Sequence, residues 1–150
     1  MLMQENKELQ KLANINKDAS EFYHEAHDEV ESNALKKTFL DLEQLHRDVY
    51  QTIHGKILAN GGTSEAEETV VGKAQETFGI LMSKISSNPD KTLVTHLEEA
   101  EDRCLHSMED AVANDVFLPE TKTMLAGELN ALKKSHDYMK AIKDSIKDAA

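Results

Sequence analysis

Tryptophan is absent from these 150 residues, cysteine occurs once, proline twice, and aromatic side chains make up only 5% of the chain. Each scarcity excludes something. A lone Cys104 cannot form an internal disulfide, which fits a reducing compartment. With so few aromatics and with Leu, Ala, Lys and Glu recurring throughout, extended sheet is not expected and a helical chain is. No run approaches the roughly 18–20 consecutive apolar residues of a membrane span. The opening Met1-Leu2-Met3-Gln4-Glu5 also lacks a basic region followed by an apolar stretch, so a soluble, cytoplasmic protein without membrane insertion is expected. Basic residues are scarce relative to acidic ones, 17 against 28, and the formal charge of −11 repels polyphosphate and anionic lipid, so no nucleic-acid partner is expected. There is no Gly-x-Ser-x-Gly elbow, no phosphate-cradling Gly-rich loop and no Cys-x-x-Cys pair, which removes hydrolase, kinase and thioredoxin-type chemistry.

What the chain does have is helical periodicity. Leu12, Ile15, Ala19, Phe22, Ala26 and Val30 recur at steps of three and four and trace one stripe over about 4–32. Ser32 and Asn33 can cap, so a second helix over about 33–60 follows almost directly, carrying Leu35, Phe39, Leu42, Val49, Ile53 and Ile57 until Asn60-Gly61-Gly62 ends it. Pro89 and Pro119 suit first helical turns, giving helices over about 90–114 and 119–147. The less regular stretch between Gly62 and Pro89 predicts a shorter connector helix over about 66–86. Its stripe of Phe78, Leu81, Met82 and Ile85 would dock it on the other helices or meet a second copy of the chain. The acidic side chains are spread along the helices and read as a solvated outer face. The expected architecture is a single all-α domain spanning 1–150, a four-helix bundle with a long second crossover.

The route of that crossover decides the chemistry. At about 1.5 Å rise per residue, a connector that returns the chain to the pole where the first two helices meet brings Glu21, Glu43, His46, Glu101 and His136 to one level. A connector that stays at the far pole leaves Glu43 and Glu101 ~10 Å or more apart along the axis. Glu43-Gln44-Leu45-His46 has the Glu-x-x-His spacing that puts a carboxylate and an imidazole on one helical turn, the ligand types that suit Fe, Mn or Zn. Lys133 stands where a two-metal site would want a second Glu. The structural alternative is that His46 and His136 are half-buried side chains whose ring nitrogens are met by Glu43, Glu101 or Asp137. Cys104 faces inward as a small hydrophobe, and His24, His27, His54, His96 and His106 mostly fall off the inner stripes.

Several of these segments carry a resemblance: Asp18-Ala19-Ser20-Glu21-Phe22-Tyr23 with Ala26 and Val30, Leu35-Lys36 followed by Phe39, Gly61-Gly62, Leu97-Glu98-Glu99-Ala100-Glu101, and His136-Asp137 followed by Lys140-Ala141-Ile142. In order and spacing, from about Leu9 onward, the chain resembles an uncharacterised bacterial family of ferritin-like four-helix-bundle domains of unknown function. The resemblance implies the ferritin-like fold and little about activity. It departs from the family at Arg103 and Cys104, where related sequences often carry Gly and a further Glu just after the position of Glu101, and near Phe78, where they commonly have Trp.

Two functional readings follow. The first is a non-catalytic structural or stress-associated interaction module, with a homodimer as one candidate assembly. The second is a metal-binding bundle using Glu21, Glu43, His46, Glu101 and His136 as ligands.

Overall fold

In a computed structural model, which describes residues 2–63, 76, 78–82 and 88–149, the chain is all-helical, with no strand among the described residues. Four long helices carry it: α1 (Leu2–His27), α2 (Asn33–Ala59), α3 (Pro89–Ala113) and α4 (Pro119–Ala149). Residues 76 and 78–82 are helical as well; the rest of the expected connector helix, Ile85 included, lies outside the described residues.

Helix α1 stops at His27, earlier than its hydrophobic stripe suggests, and the cause is tertiary. Asp90, in the first turn of α3, accepts hydrogen bonds from the backbone N–H groups of Glu31 (2.7 Å) and Ser32 (3.1 Å), which holds the turn open. Val30 is still buried, now from the turn. Ser32 then caps α2, its hydroxyl accepting from the Leu35 N–H at 3.2 Å, and Asn88 caps α3 through the Lys91 N–H. At the other end of α2, Gly61 takes φ +87°, a left-handed conformation that costs glycine little.

Side-chain contacts fix the directions of the helices. Glu5, fully buried at the start of α1, accepts from Asn60 Nδ2 (2.7 Å) and from the Leu118 N–H (2.9 Å), so the end of α2 and the α3–α4 turn share its pole. Asp90 meets Glu31 and Ser32 at the opposite pole. The chain between Asn60 and Asn88 therefore begins at one pole and ends at the other. Helices α1 and α4 run one way, α2 and α3 the other, with α1 packed most closely on α2, α3 on α4, and α1 next on α3. Helices α2 and α4 touch sparingly, leaving a groove between them.

The interior has two apolar clusters. The lower one includes Leu9, Leu12, Val49, Ile53, Cys104, Met108, Leu125 and Leu132. The upper one includes Phe22, Phe39, Leu42, Leu93, Leu97 and Met139, joined by Phe78 of the connector, whose ring meets Phe22 edge-on at 5.3 Å. Burying each large side chain contributes roughly 1.5–3 kcal/mol. The seam between the clusters is polar. On α2, His46 lies between Leu42 and Val49; on α3, Glu101 between Leu97 and Cys104; on α4, Ser135 between Leu132 and Met139.

Candidate functional site

Each long helix contributes one polar side chain to this seam: Asn16, His46, Glu101 and Ser135, all 2% exposed or less. Tyr23, fully buried one step higher on α1, closes it from above. Three donors converge on one oxygen. Glu101 Oε1 accepts from His46 Nε2 at 2.5 Å, from Ser135 Oγ at 2.7 Å and from Tyr23 Oη at 2.9 Å. The Tyr23 ring also stacks on the His46 imidazole at 5.8 Å.

The protonation state follows from the partners. Asn16 Nδ2 donates to the Leu12 carbonyl (3.0 Å), which leaves Asn16 Oδ1 to accept from His46 Nδ1 at 2.9 Å. With Nδ1 donating to an amide oxygen and Nε2 to a carboxylate, His46 is an imidazolium. Burial opposes that charge, but Glu101 and the neighbouring Cys104 outweigh it and push the His46 pKa up to about 10. Burial likewise favours neutral Glu101, yet the His46 charge and the hydrogen bonds from His46, Ser135 and Tyr23 hold its pKa below the ordinary carboxylate value. Tyr23, desolvated and facing an anion, is raised well above the usual phenol range. The charge-assisted bonds are of the stronger kind, while the ion pair as a whole carries a large desolvation cost. One group is left over: Glu101 Oε2 is buried without a hydrogen-bond partner.

The five residues expected to converge are distributed differently. His46 and Glu101 meet. Glu43, 8% exposed, turns to Arg47 Nη2 (2.6 Å) and to His24 Nδ1 (3.3 Å). His136 projects from α4 one residue beyond Ser135 and bonds Asp102 through Nε2 (2.5 Å) and Asp137 through Nδ1 (3.1 Å). Burial opposes its charge, and Asp137 and Asp102 raise its pKa. Glu21 is half-buried and takes part in none of these contacts. Among the described residues, the His, Cys, Asp and Glu groups able to bring three ligand atoms within 4.8 Å of one another are His24–His27–Glu43 and Glu98–Asp102–His136. Because His46 has both nitrogens committed as donors, the polar seam as built does not fit a two-metal centre.

Sequence reasoning missed Asn16, Tyr23 and Ser135, although each left a trace. Asn16 interrupts the stripe of Leu12, Ala13 and Ala19, and Ser135 sits three residues after Leu132 and four before Met139. Ser135 and His136, adjacent on α4, point about 100° apart round the helix. His96, which falls off the inner stripe in sequence, stacks on Phe22 at 4.3 Å; burial and then the charge of Arg103 lower its pKa.

These features define a class: an all-helical protein whose core is divided by a buried ion-pair layer. The family comes from comparison. Residues 4–114 match the family described as a domain of unknown function (DUF2383), and the chain belongs to it. The match takes in Asn16, Tyr23, His46 and Glu101, while Ser135 lies beyond it. No curated protein and no solved structure matches the chain.

Proposed function

We propose that this DUF2383 chain is a ferritin-like four-helix bundle with a long second crossover, acting in the bacterial cytoplasm as a non-catalytic structural or stress-associated interaction module. The observation that carries this reading is the saturation of His46, whose two ring nitrogens are both used in holding α2 to α1 and α3. A polar layer of this kind selects one register and one set of neighbours, because any slip leaves a buried charge without its partner. Homodimer formation belongs to the same reading. The groove between α2 and α4, about 580 Å³ and lined by Leu35, Tyr138, Ile142 and Ile146, supports an interacting surface.

Elemental analysis of untagged protein tests the non-catalytic reading. Stoichiometric Fe, Mn or Zn that disappears in His46→Asn while the variant stays folded would overturn it. Sedimentation tests assembly, and a strictly monomeric species at high concentration removes the dimer.

The second reading, a metal-binding ferritin-like protein using Glu21, Glu43, His46, Glu101 and His136, is favoured by one observation, the unpartnered Glu101 Oε2. It requires the His46 imidazolium to give up a proton to become a ligand.

A further inference from the structure

At the pole where α1 ends, two histidines of one helical turn, His24 and His27, face the carboxylate of Glu43 on α2. We propose that this trio is a zinc-class divalent metal site, separate from the buried seam and independent of the role assigned to it.

Four features support it. One ligand atom from each of the three residues lies within 4.8 Å of the others. In a zinc site, N and O ligands at about 2.0–2.2 Å lie roughly 3.3–3.5 Å from one another, so rotation of the half-exposed His24 ring closes the set. Glu43 is the fixed member: its side chain is 8% exposed, and His24 Nδ1 lies 3.3 Å from each of its two oxygens. His27 is already oriented, because its Nδ1 donates to the His24 carbonyl at 2.5 Å and so leaves Nε2 as the coordinating nitrogen. Metal-binding histidines are commonly held by such a carbonyl bond. The site also lies at the C-terminal end of α1, where the helix dipole favours a cation.

Two contacts must yield. His27 Nε2 pairs with Asp28 at 3.1 Å, and Asp28 is exposed and free to swing away. Arg47 competes for Glu43 Oε2 from a half-exposed position. Two nitrogens and one oxygen leave coordination positions for water, and imidazole ligation favours Zn²⁺ over Mg²⁺ or Ca²⁺.

The test is calorimetric titration of the full, chelator-stripped chain with Zn²⁺ alone at pH 7.5. One Zn²⁺ binds, with affinity at least about tenfold weaker in His24→Gln and in His27→Gln and unchanged in His136→Gln and His46→Asn. Co²⁺ gives a second readout, its visible absorption weakening in the same two variants. His24 is half-exposed and the His27 side chain 20% exposed at the C-terminal end of α1, and unchanged melting curves for their variants separate ligand loss from unfolding. Absence of Zn²⁺ binding overturns the proposal, as does equal affinity in the His24→Gln, His27→Gln double variant. Loss in His136→Gln assigns the metal to the α3–α4 cluster, and loss in a His46→Asn variant whose helical circular dichroism matches the parent assigns it to the buried seam; either result overturns it too.

Discussion

His46 on α2 and Glu101 on α3 form a fully buried ion pair, Nε2 to Oε1 2.5 Å, on helices that otherwise make little contact. An ion pair taken out of water stabilises weakly as a unit, yet removing one member leaves the other charged and desolvated. His46→Ala is therefore expected to cost about 3–5 kcal/mol, read as a shift of the urea midpoint. A midpoint within error of the parent would show that the pair does not persist in solution.

Stability should depend on pH in a definite direction. The His46 pKa is raised from 6.5 to about 10, so its contribution is complete below about 6.5 and is lost as pH climbs toward 10. Glu101 is lowered from 4.5, so its contribution is present above about 4.5 and is lost as pH falls through the depressed value. Maximum stability falls between these limits, with slopes of up to about 1.4 kcal/mol per pH unit for each group. Denaturation midpoints from pH 3 to 10 check this, and His46→Gln should flatten the alkaline limb.

Tyr23→Phe removes one donor to a carboxylate that already lacks a partner on Oε2. The expected loss is about 1.5–3 kcal/mol with the fold intact, measured by thermal or urea unfolding.

Asp90→Ala should loosen the turn between α1 and α2, because two backbone N–H groups lose a charged acceptor. Hydrogen exchange at Glu31 and Ser32 should accelerate, with a stability loss of about 1–3 kcal/mol. Protection unchanged at both amides would refute the assignment of α1's early end to Asp90.

Adjacent glycines at the end of α2 should respond differently to alanine. A Cβ on Gly62 would meet Ile57 Cγ2 at 2.6 Å and Asn6 Nδ2 at 2.8 Å, whereas at Gly61 it meets nothing but φ is +87°. Gly62→Ala is expected to cost about 1–3 kcal/mol through overpacking, and Gly61→Ala about 1–2 kcal/mol through the left-handed backbone. Differential scanning calorimetry of the two variants separates them.

The long helices were legible as helices because apolar stripes three and four apart, the Ser32 cap and Pro119 in a first turn act locally. The exception, the early end of α1, comes from Asp90, a residue 58 positions from Ser32. Of the candidate site, Glu101 and His46 were legible as polar residues on apolar stripes, with Glu43, Glu101 and Asp137 all open as partners of an imidazole; the pairing of His46 with Glu101 comes from the fold. His136 bonds Asp102 and Glu43 lies beside His24, because a residue at the border of a stripe can turn to either side until its neighbours are known.

Helical class, element order and the acidic exterior were thus determined by the sequence by itself, since each depends on interactions within a few turns of chain. Only the tertiary structure decided that Asn16, Tyr23, His46, Glu101 and Ser135 share one buried layer and that His24 and His27 lie beside Glu43. The physical reason is that a polar group's role is set by what removes its water and by which partner replaces it, and both come from residues far away in the chain.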